Sequence, residues 1–326
     1  MKTTNQPPLL SIVIPCFNEA ANVLPFLVAC EAALPTGYRY ELLFIDDGSS
    51  DGTAAVVGKL RPSRRDVNTQ LLELSRNFGK EIAVTAGLRM ATGDAAVIID
   101  ADLQHPPKVI VAFIAAWQAG ADVVIGVRTN TKDYAPLFKR LGSKIFYLVI
   151  NKLSAVEIMA RATDFRLLDR VVINEFNRLT EHDRISRGLI DWLGFSREYI
   201  EFMPAARTNG QASYSLGRLS VLFLNSVVGM SLAPLKFAGY LGLIITSFFG
   251  LLGALIALEM FGLNDPLNLN IGNSIDLAVL IIFLIGIVLM ALGLVSFYIA
   301  TIHTEVTNRP LYVVRPPRRP RPKPVI

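Results

Sequence analysis

Two carboxylates stand two residues apart in the run Asp100-Ala101-Asp102-Leu103-Gln104-His105-Pro106-Pro107. At the end of a buried strand, that spacing lets both reach one hard cation through oxygen ligands. Mg²⁺ and Mn²⁺ suit such donors and keep positions open for phosphate oxygens. Gln104 adds a neutral oxygen, whereas His105, alone beside two prolines, is expected to cap or pack. A second acidic run, Asp46-Asp47-Gly48-Ser49-Ser50-Asp51, follows another hydrophobic stretch, and Pro15-Cys16-Phe17-Asn18-Glu19 closes a third. Either acidic run alone is a weak signal, and the second would be a plain surface turn in many proteins. Together they describe a nucleoside pocket, with carboxylates for base and ribose donors and Phe17 as an aromatic wall. No Gly-x-Gly occurs anywhere in the chain. The dinucleotide fingerprint and the P-loop are therefore both missing, which removes the main support for nicotinamide and NTPase chemistry.

These residues must be positioned by strands. Short β-branched runs predict strands over 9–15, 40–45, 69–74, 95–99 and 122–127. Helical patterns over 19–33, 52–60, 80–90 and 107–119 lie between them. This alternation predicts an α/β domain with a mainly parallel sheet, whose strand ends bring both acidic clusters to one edge. The apolar run 9–16 is read as a buried strand and not a secretory signal, since it has no basic flank or cleavage site.

The remainder of the 326-residue chain differs in character. Hydrophobic residues are 52% and charged residues 18% of the whole, and mean hydropathy is +0.43. The excess lies in 237–261, which holds one charge, Glu259, and in 277–302, which holds none. Each stretch is long enough to cross a hydrocarbon layer of roughly 30 Å; buried core helices are the alternative. The expected organisation is a catalytic domain at 1–215, an interfacial amphipathic helix at 216–234, two transmembrane helices within 235–303 and a basic Pro-rich tail at 304–326. The loop 262–274 carries Asp265 and no Lys or Arg, while the tail carries Arg309, Arg315, Arg318, Arg319, Arg321 and Lys323. Positive residues mark the cytoplasmic side, so catalytic domain and tail are both expected there, on the inner membrane, with Pro316–Pro324 disordered. Cys16 and Cys30 read as reduced thiols. The net charge of +5 is modest, and no nucleic-acid partner is expected.

Taken together, Pro-Cys-Phe-Asn-Glu, Asp-Asp-Gly-Ser, Arg76-Asn77-Phe78-Gly79-Lys80 and Asp-Ala-Asp-Leu-Gln-His-Pro-Pro resemble glycosyltransferase family 2. More narrowly, they resemble its polyprenyl-phosphate sugar transferases, of the dolichol-phosphate mannose synthase and bactoprenol glucosyltransferase kind. Gly126-Val127-Arg128, Asp164-Phe165-Arg166-Leu167-Leu168 and Asn308-Arg309-Pro310-Leu311-Tyr312 continue the likeness over nearly the whole chain. The resemblance implies a GT-A fold. It implies Pro15, Phe17, Glu19, Asp46, Asp47 and Ser49 around the nucleotide, and Asp100, Asp102 and Gln104 at a Mg²⁺ or Mn²⁺ ion. Lys80, Arg128, Arg140, Ser143 and Arg207 would contact substrate, the arginines facing donor and acceptor phosphates. Asp102, Asp164, Arg128 and Arg207 would be the catalytic set, with Asp164 close to the sugar as a base or an orienting group and pairing to Arg166 or a nearby arginine as the alternative. Where the family reads Arg-x-x-Gly-x-Ser-Lys-Tyr-Ser, Ala212 and Ser213 stand here in place of Ser and Lys. A hydroxyl and a positive charge are missing from that segment.

The implied reaction is inverting transfer of a sugar, glucose from UDP-glucose first, to undecaprenyl phosphate at the cytoplasmic membrane face. GDP-mannose and UDP-aminosugars are alternative donors. A processive polysaccharide synthase would need a Gln-x-x-Arg-Trp motif and more helices, and both are absent. A nucleotide-binding scaffold without catalysis is the non-enzymatic alternative, against which both acidic clusters and the arginine set speak. Two membrane helices are few for sheltering a prenyl chain, so association of subunits is a further expectation.

Overall fold

The structure is a computed structural model describing residues 6–129, 162–182, 184–205 and 274–316, with positions 240, 244, 245, 247, 248 and 251. In chain order the elements are β1 (Leu9–Cys16), α1 (Ala20–Ala33), β2 (Arg39–Asp46), α2 (Thr53–Val57), β3 (Val67–Glu73), α3 (Lys80–Met90), β4 (Ala95–Ile98), α4 (Val109–Gln118) and β5 (Val123–Arg128). They continue with β6 (Ala162–Asp169), α5 (Arg170–Arg178), α6 (Ser186–Trp192), β7 (Arg197–Phe202) and α7 (Ser274–Thr307). The chain divides into two units, the first holding every described strand and the second holding α7.

The strands form one seven-stranded sheet in the order β3-β2-β1-β4-β6-β5-β7. β1, β2, β3 and β4 run parallel, and β7 is parallel to β5. Near-continuous apolar runs suit a sheet covered on both faces, and the period of two divides them between two cores. Ile12, Ile14, Leu42, Phe44 and Val97 face α1 and α4, packing with Phe26 and Phe113. Val13, Leu43, Ile45, Ala96 and Ile98 face the opposite side, with Val84, Ile173, Phe176 and Ile190. α3 lies close on β1 at Gly87, where an added Cβ would come 2.3 Å from Val13 Cγ1.

The five strands and four helices expected from sequence are present as β1 to β5 and α1 to α4. β6 was not anticipated. It inserts between β4 and β5 and runs antiparallel to both. It carries Arg166 into the sheet with 1% exposure, and the guanidinium meets Asp191 of α6 at 2.8 Å. At the far end of the sheet, buried Glu41 is satisfied by Ser11 Oγ, Thr92 N and Oγ1, and Gly93 N.

Residues 309–315, assigned to the tail on sequence, lie against the edge strand β3. Val314 bridges Leu74 in antiparallel fashion, Ser75 N donates to Val313 O (2.8 Å), and Arg315 N donates to Glu73 O (2.7 Å). The Arg315 side chain pairs with Glu73, and the Arg89 guanidinium lies over the Tyr312 ring. Most of the segment expected to be disordered lies outside the described residues, as does the interfacial helix at 216–234. The first expected span, 237–261, is described only at six positions, all helical. The second, 277–302, falls within α7, of which Leu284–Thr307 is long and apolar enough to cross a membrane. Ile285, Val288, Leu289, Leu292 and Ile299 on it are each more than half exposed.

Asp191→Ala would leave the Arg166 charge buried beside the more distant Asp164, and a loss of about 3–5 kcal/mol in unfolding free energy is expected. Denaturant unfolding with Arg178→Ala as control, an exposed pair whose loss should stay under about 1 kcal/mol, checks this. Deleting residues 309–326 is expected to speed amide hydrogen exchange at Ser75, whose acceptor lies on that segment.

Candidate active site

Register brings the three strand ends together. Cys16 pairs with Asp46, Asp47 N donates to Cys16 O (2.9 Å), and Ile99 N donates to Val13 O (3.0 Å). The turns after β1 and β2 are stitched to each other. Asn18, in the left-handed region at φ 56°, gives its N–H to Ser49 Oγ and accepts from Ser50 N, both at 2.9 Å. Ser49 N donates in turn to Asp46 Oδ1 (3.2 Å). Gly48 is demanded twice, by φ 72° and by the backbone of Arg76, 2.4 Å from where a Cβ would sit. Phe17 projects from this surface with 47% exposure.

Asp46 and Asp47 are almost wholly buried. Asp47 accepts from the backbone N–H groups of Phe78 (2.7 Å) and Gly79 (2.8 Å), clamping the loop ahead of α3. Burial pushes both carboxyls above their usual range, against the pull of these hydrogen bonds. The loop is what delivers Lys80, the first residue of α3.

Lys80 Nζ lies 2.7 Å from Asp100 Oδ1 and 3.2 Å from Asp164 Oδ2. Burial alone would lower the ammonium, but Asp100 and then Asp164 outweigh it and push it up to about 12. Asp164 also meets Arg187 Nε at 3.6 Å. Burial would raise this carboxyl, yet Lys80 and Arg187 together hold it below the usual carboxylate range. Asp164 is paired with Lys80 and Arg187, while Arg166 is taken by Asp191.

On the other side of Asp100, His105 is buried against Phe165 and Phe202, so it packs as expected. Its Nδ1 is 3.6 Å from Asp100 Oδ2 and its Nε2 is 3.4 Å from Arg128 Nη2. Gln104 N donates to Asp102 Oδ1 at 3.1 Å, and Leu103 between them takes φ 59°. Glu19, half-buried, has its carboxyl raised by burial and then by Asp102 and Asp100, which places the three carboxylates within electrostatic reach. Among the described residues no three acidic, imidazole or thiol groups form a ready-made metal cage. The carboxylate oxygens of Asp100 and Asp102 are hard donors of the kind Mg²⁺ or Mn²⁺ takes. Asp100 is paired with the Lys80 ammonium. Arg140, Ser143 and Arg207 lie outside the described residues. Arg187 had no sequence signal, since it sits in an ordinary polar run and reaches Asp164 only through tertiary packing.

Asp47→Ala would leave two N–H groups of the loop without an acceptor, at a cost of about 1–3 kcal/mol each where they stay dry. Faster amide exchange at Phe78 and Gly79 and a lower denaturation midpoint are the expected outcome.

Residues 11–176 match the sequence pattern of Glycosyl transferase family 2. The Bacillus subtilis protein named uncharacterized glycosyltransferase YkcC is 35% identical over 306 residues, covering 94% of this chain and 93% of its own. The bactoprenol glucosyl transferase of Shigella phage SfII is 35% identical over 314 residues, covering 96% and 99%. Among solved structures, mannosyl-3-phosphoglycerate synthase from Rubrobacter xylanophilus superposes with a TM-score of 0.50 over 70% of this chain and 74% of that one, at 18% identity. That last likeness speaks to fold alone, a GT-A-like α/β arrangement. With its strand-end carboxylates and its near full-length relatives, the chain belongs to glycosyltransferase family 2.

Proposed function

We propose that this chain transfers glucose from UDP-glucose to undecaprenyl phosphate, or a like polyprenyl phosphate, at the cytoplasmic membrane face with inversion at the anomeric carbon. The observation that carries the reading is the contact chain from Asp100 through Lys80 to Asp164. It joins a carboxylate suited to the diphosphate end of a donor to one suited to its sugar. Relatives named bactoprenol glucosyl transferase that align over 94–96% of this chain support the acceptor.

Asp100, Asp102 and Gln104 would hold Mg²⁺ or Mn²⁺, which supplies positive charge against a departing diphosphate. Pro15, Phe17, Glu19, Asp46, Asp47 and Ser49 frame the nucleoside end. Arg128, with Arg140, Ser143 and Arg207, holds donor and acceptor phosphates, since guanidinium groups grip phosphate in a bidentate manner. The acceptor oxygen is already anionic near neutral pH, so no strong base is required. Asp164 agrees with this, because a carboxyl held low by Lys80 and Arg187 is a poor proton acceptor. Its part is to orient the sugar. Attack from the face opposite the leaving group inverts the configuration.

The membrane reading rests on α7. Its 24-residue apolar stretch is roughly 36 Å long, enough for a hydrocarbon layer of roughly 30 Å, and its exposed aliphatic side chains suit lipid. The packing of residues 309–315 on β3 supports a catalytic domain and a post-helix segment on one side.

Full-length protein in membranes, given labelled UDP-glucose, a UDP-aminosugar or GDP-mannose, is expected to move label from UDP-glucose into the lipid fraction. Chelation should stop transfer, and Mg²⁺ or Mn²⁺ should restore it. Replacing Asp100 and Asp102 together by Ala is expected to reduce the rate by about 10²-fold or more. Wild-type transfer by that double variant overturns the mechanism, and label entering from another donor reassigns the sugar.

A further inference from the structure

His105 is buried to 3% exposure, at a junction where four strand ends meet. Asp100 and Asp102 follow β4, Arg128 ends β5, Phe165 lies in the first half of β6 and Phe202 ends β7. The imidazole packs on Phe165 and Phe202, with ring centroids 5.3 and 5.5 Å away. Backbone contacts fasten the same junction. Thr129 N donates to Phe202 O (2.9 Å), and Ala205 N donates to Gln104 O (3.2 Å).

Both ring nitrogens face charge. Nε2 is 3.4 Å from Arg128 Nη2, and Nδ1 is 3.6 Å from Asp100 Oδ2. A guanidinium donates and never accepts, so Nε2 must offer it a lone pair. A protonated ring would set an N–H against that guanidinium. The proton of the neutral ring therefore belongs on Nδ1, on the side of a carboxylate that accepts. Among the described residues this buried nitrogen has no hydrogen-bond partner, and 3.6 Å is longer than a hydrogen bond. A buried N–H left unpaired is costly. The terminal torsion of aspartate is soft, and a small turn of the Asp100 carboxylate brings Oδ2 into reach.

We infer that His105 is a positioning residue, whose Nδ1–H holds Asp100 from behind while its Nε2 accepts from Arg128. One imidazole then sets the spacing between a carboxylate that meets the cation and a guanidinium that meets phosphate. Groups that hold a ligating side chain in this way orient it and strengthen metal binding. The assignment rests on the metal reading above and gives His105 a task beyond packing.

Mn²⁺ binding to the detergent-solubilised full chain with UDP present tests this, read from the loss of the free ion's electron spin resonance signal. His105→Phe keeps an aromatic ring and removes both polar contacts, and it is expected to weaken Mn²⁺ binding about tenfold or more. His105→Asn, which puts an N–H back near the place of Nδ1, should recover part of that loss. If the ring only packed, phenylalanine would serve as well, so wild-type Mn²⁺ affinity in His105→Phe overturns the assignment. So does a folded His105→Asn that binds no better than His105→Phe. Unfolding midpoints identify a variant that misfolds, and the wild-type protein then decides alone. Nitrogen NMR of labelled histidine in mildly alkaline buffer, assigned by removing His182 and His303 in turn, is expected to show the proton of His105 on Nδ1; a proton on Nε2 overturns the inference. Failure of the wild type to take up Mn²⁺ removes the metal reading, and this one with it, before any variant is made.

Discussion

One ammonium group ties the site together. Lys80 Nζ lies between Asp100 and Asp164, at 2.7 and 3.2 Å, and so links the start of α3, the end of β4 and the start of β6. Two carboxylates pressed towards one another in a partly dry crevice would repel. A shared cation removes that conflict, and Arg187 adds a second counter-charge from α6. The cost is that Lys80 must be delivered accurately. This explains why Asp47 is buried as an acceptor for the N–H groups of Phe78 and Gly79, the two residues just before it.

That arrangement depends on an irregularity of the sheet. β6 runs antiparallel between β4 and β5, so its N-terminal end, with Asp164, lies at the edge where its parallel neighbours have their C-terminal ends. A parallel strand there would present its C-terminal end instead. Its inward position also takes Arg166 into the core, where Asp191 compensates the charge. A buried pair of this kind is weak evidence for stability, since desolvation offsets much of the attraction. What it provides here is a fixed link between β6 and α6 next to Asp164.

Most of the parallel half of the fold was legible in the sequence. β1, β2 and β4 are buried on both faces, and continuous runs of Ile, Val and Leu announce such strands directly. The acidic turns were legible because they follow those runs. β6 was not, because Ala162–Asp169 alternates charge with aliphatic residues and reads as a strand only once its partners are known. Asp164 and Arg128 were reached through motif resemblance and not through periodicity. Arg187 and Ser186 carry no motif, and their nearness to Lys80 arises from the packing of α6 on α3. Residues 309–315 looked like part of a basic tail, since a lone β-bridge leaves almost no pattern in sequence.

The Asp100/Asp102 spacing, the second acidic turn, the missing Gly-x-Gly and the apolar C-terminal stretches were determined by sequence alone, because they are local and depend only on the order of side chains. Tertiary structure decided which charges face each other. It paired Asp164 with Lys80 and Arg187, made Asp47 the clamp of the loop before α3, and set Arg166 against Asp191. The physical reason is that ionic contacts between residues 84 apart in the chain, such as Lys80 and Asp164, are chosen by strand order and direction. Neither is written in any single segment.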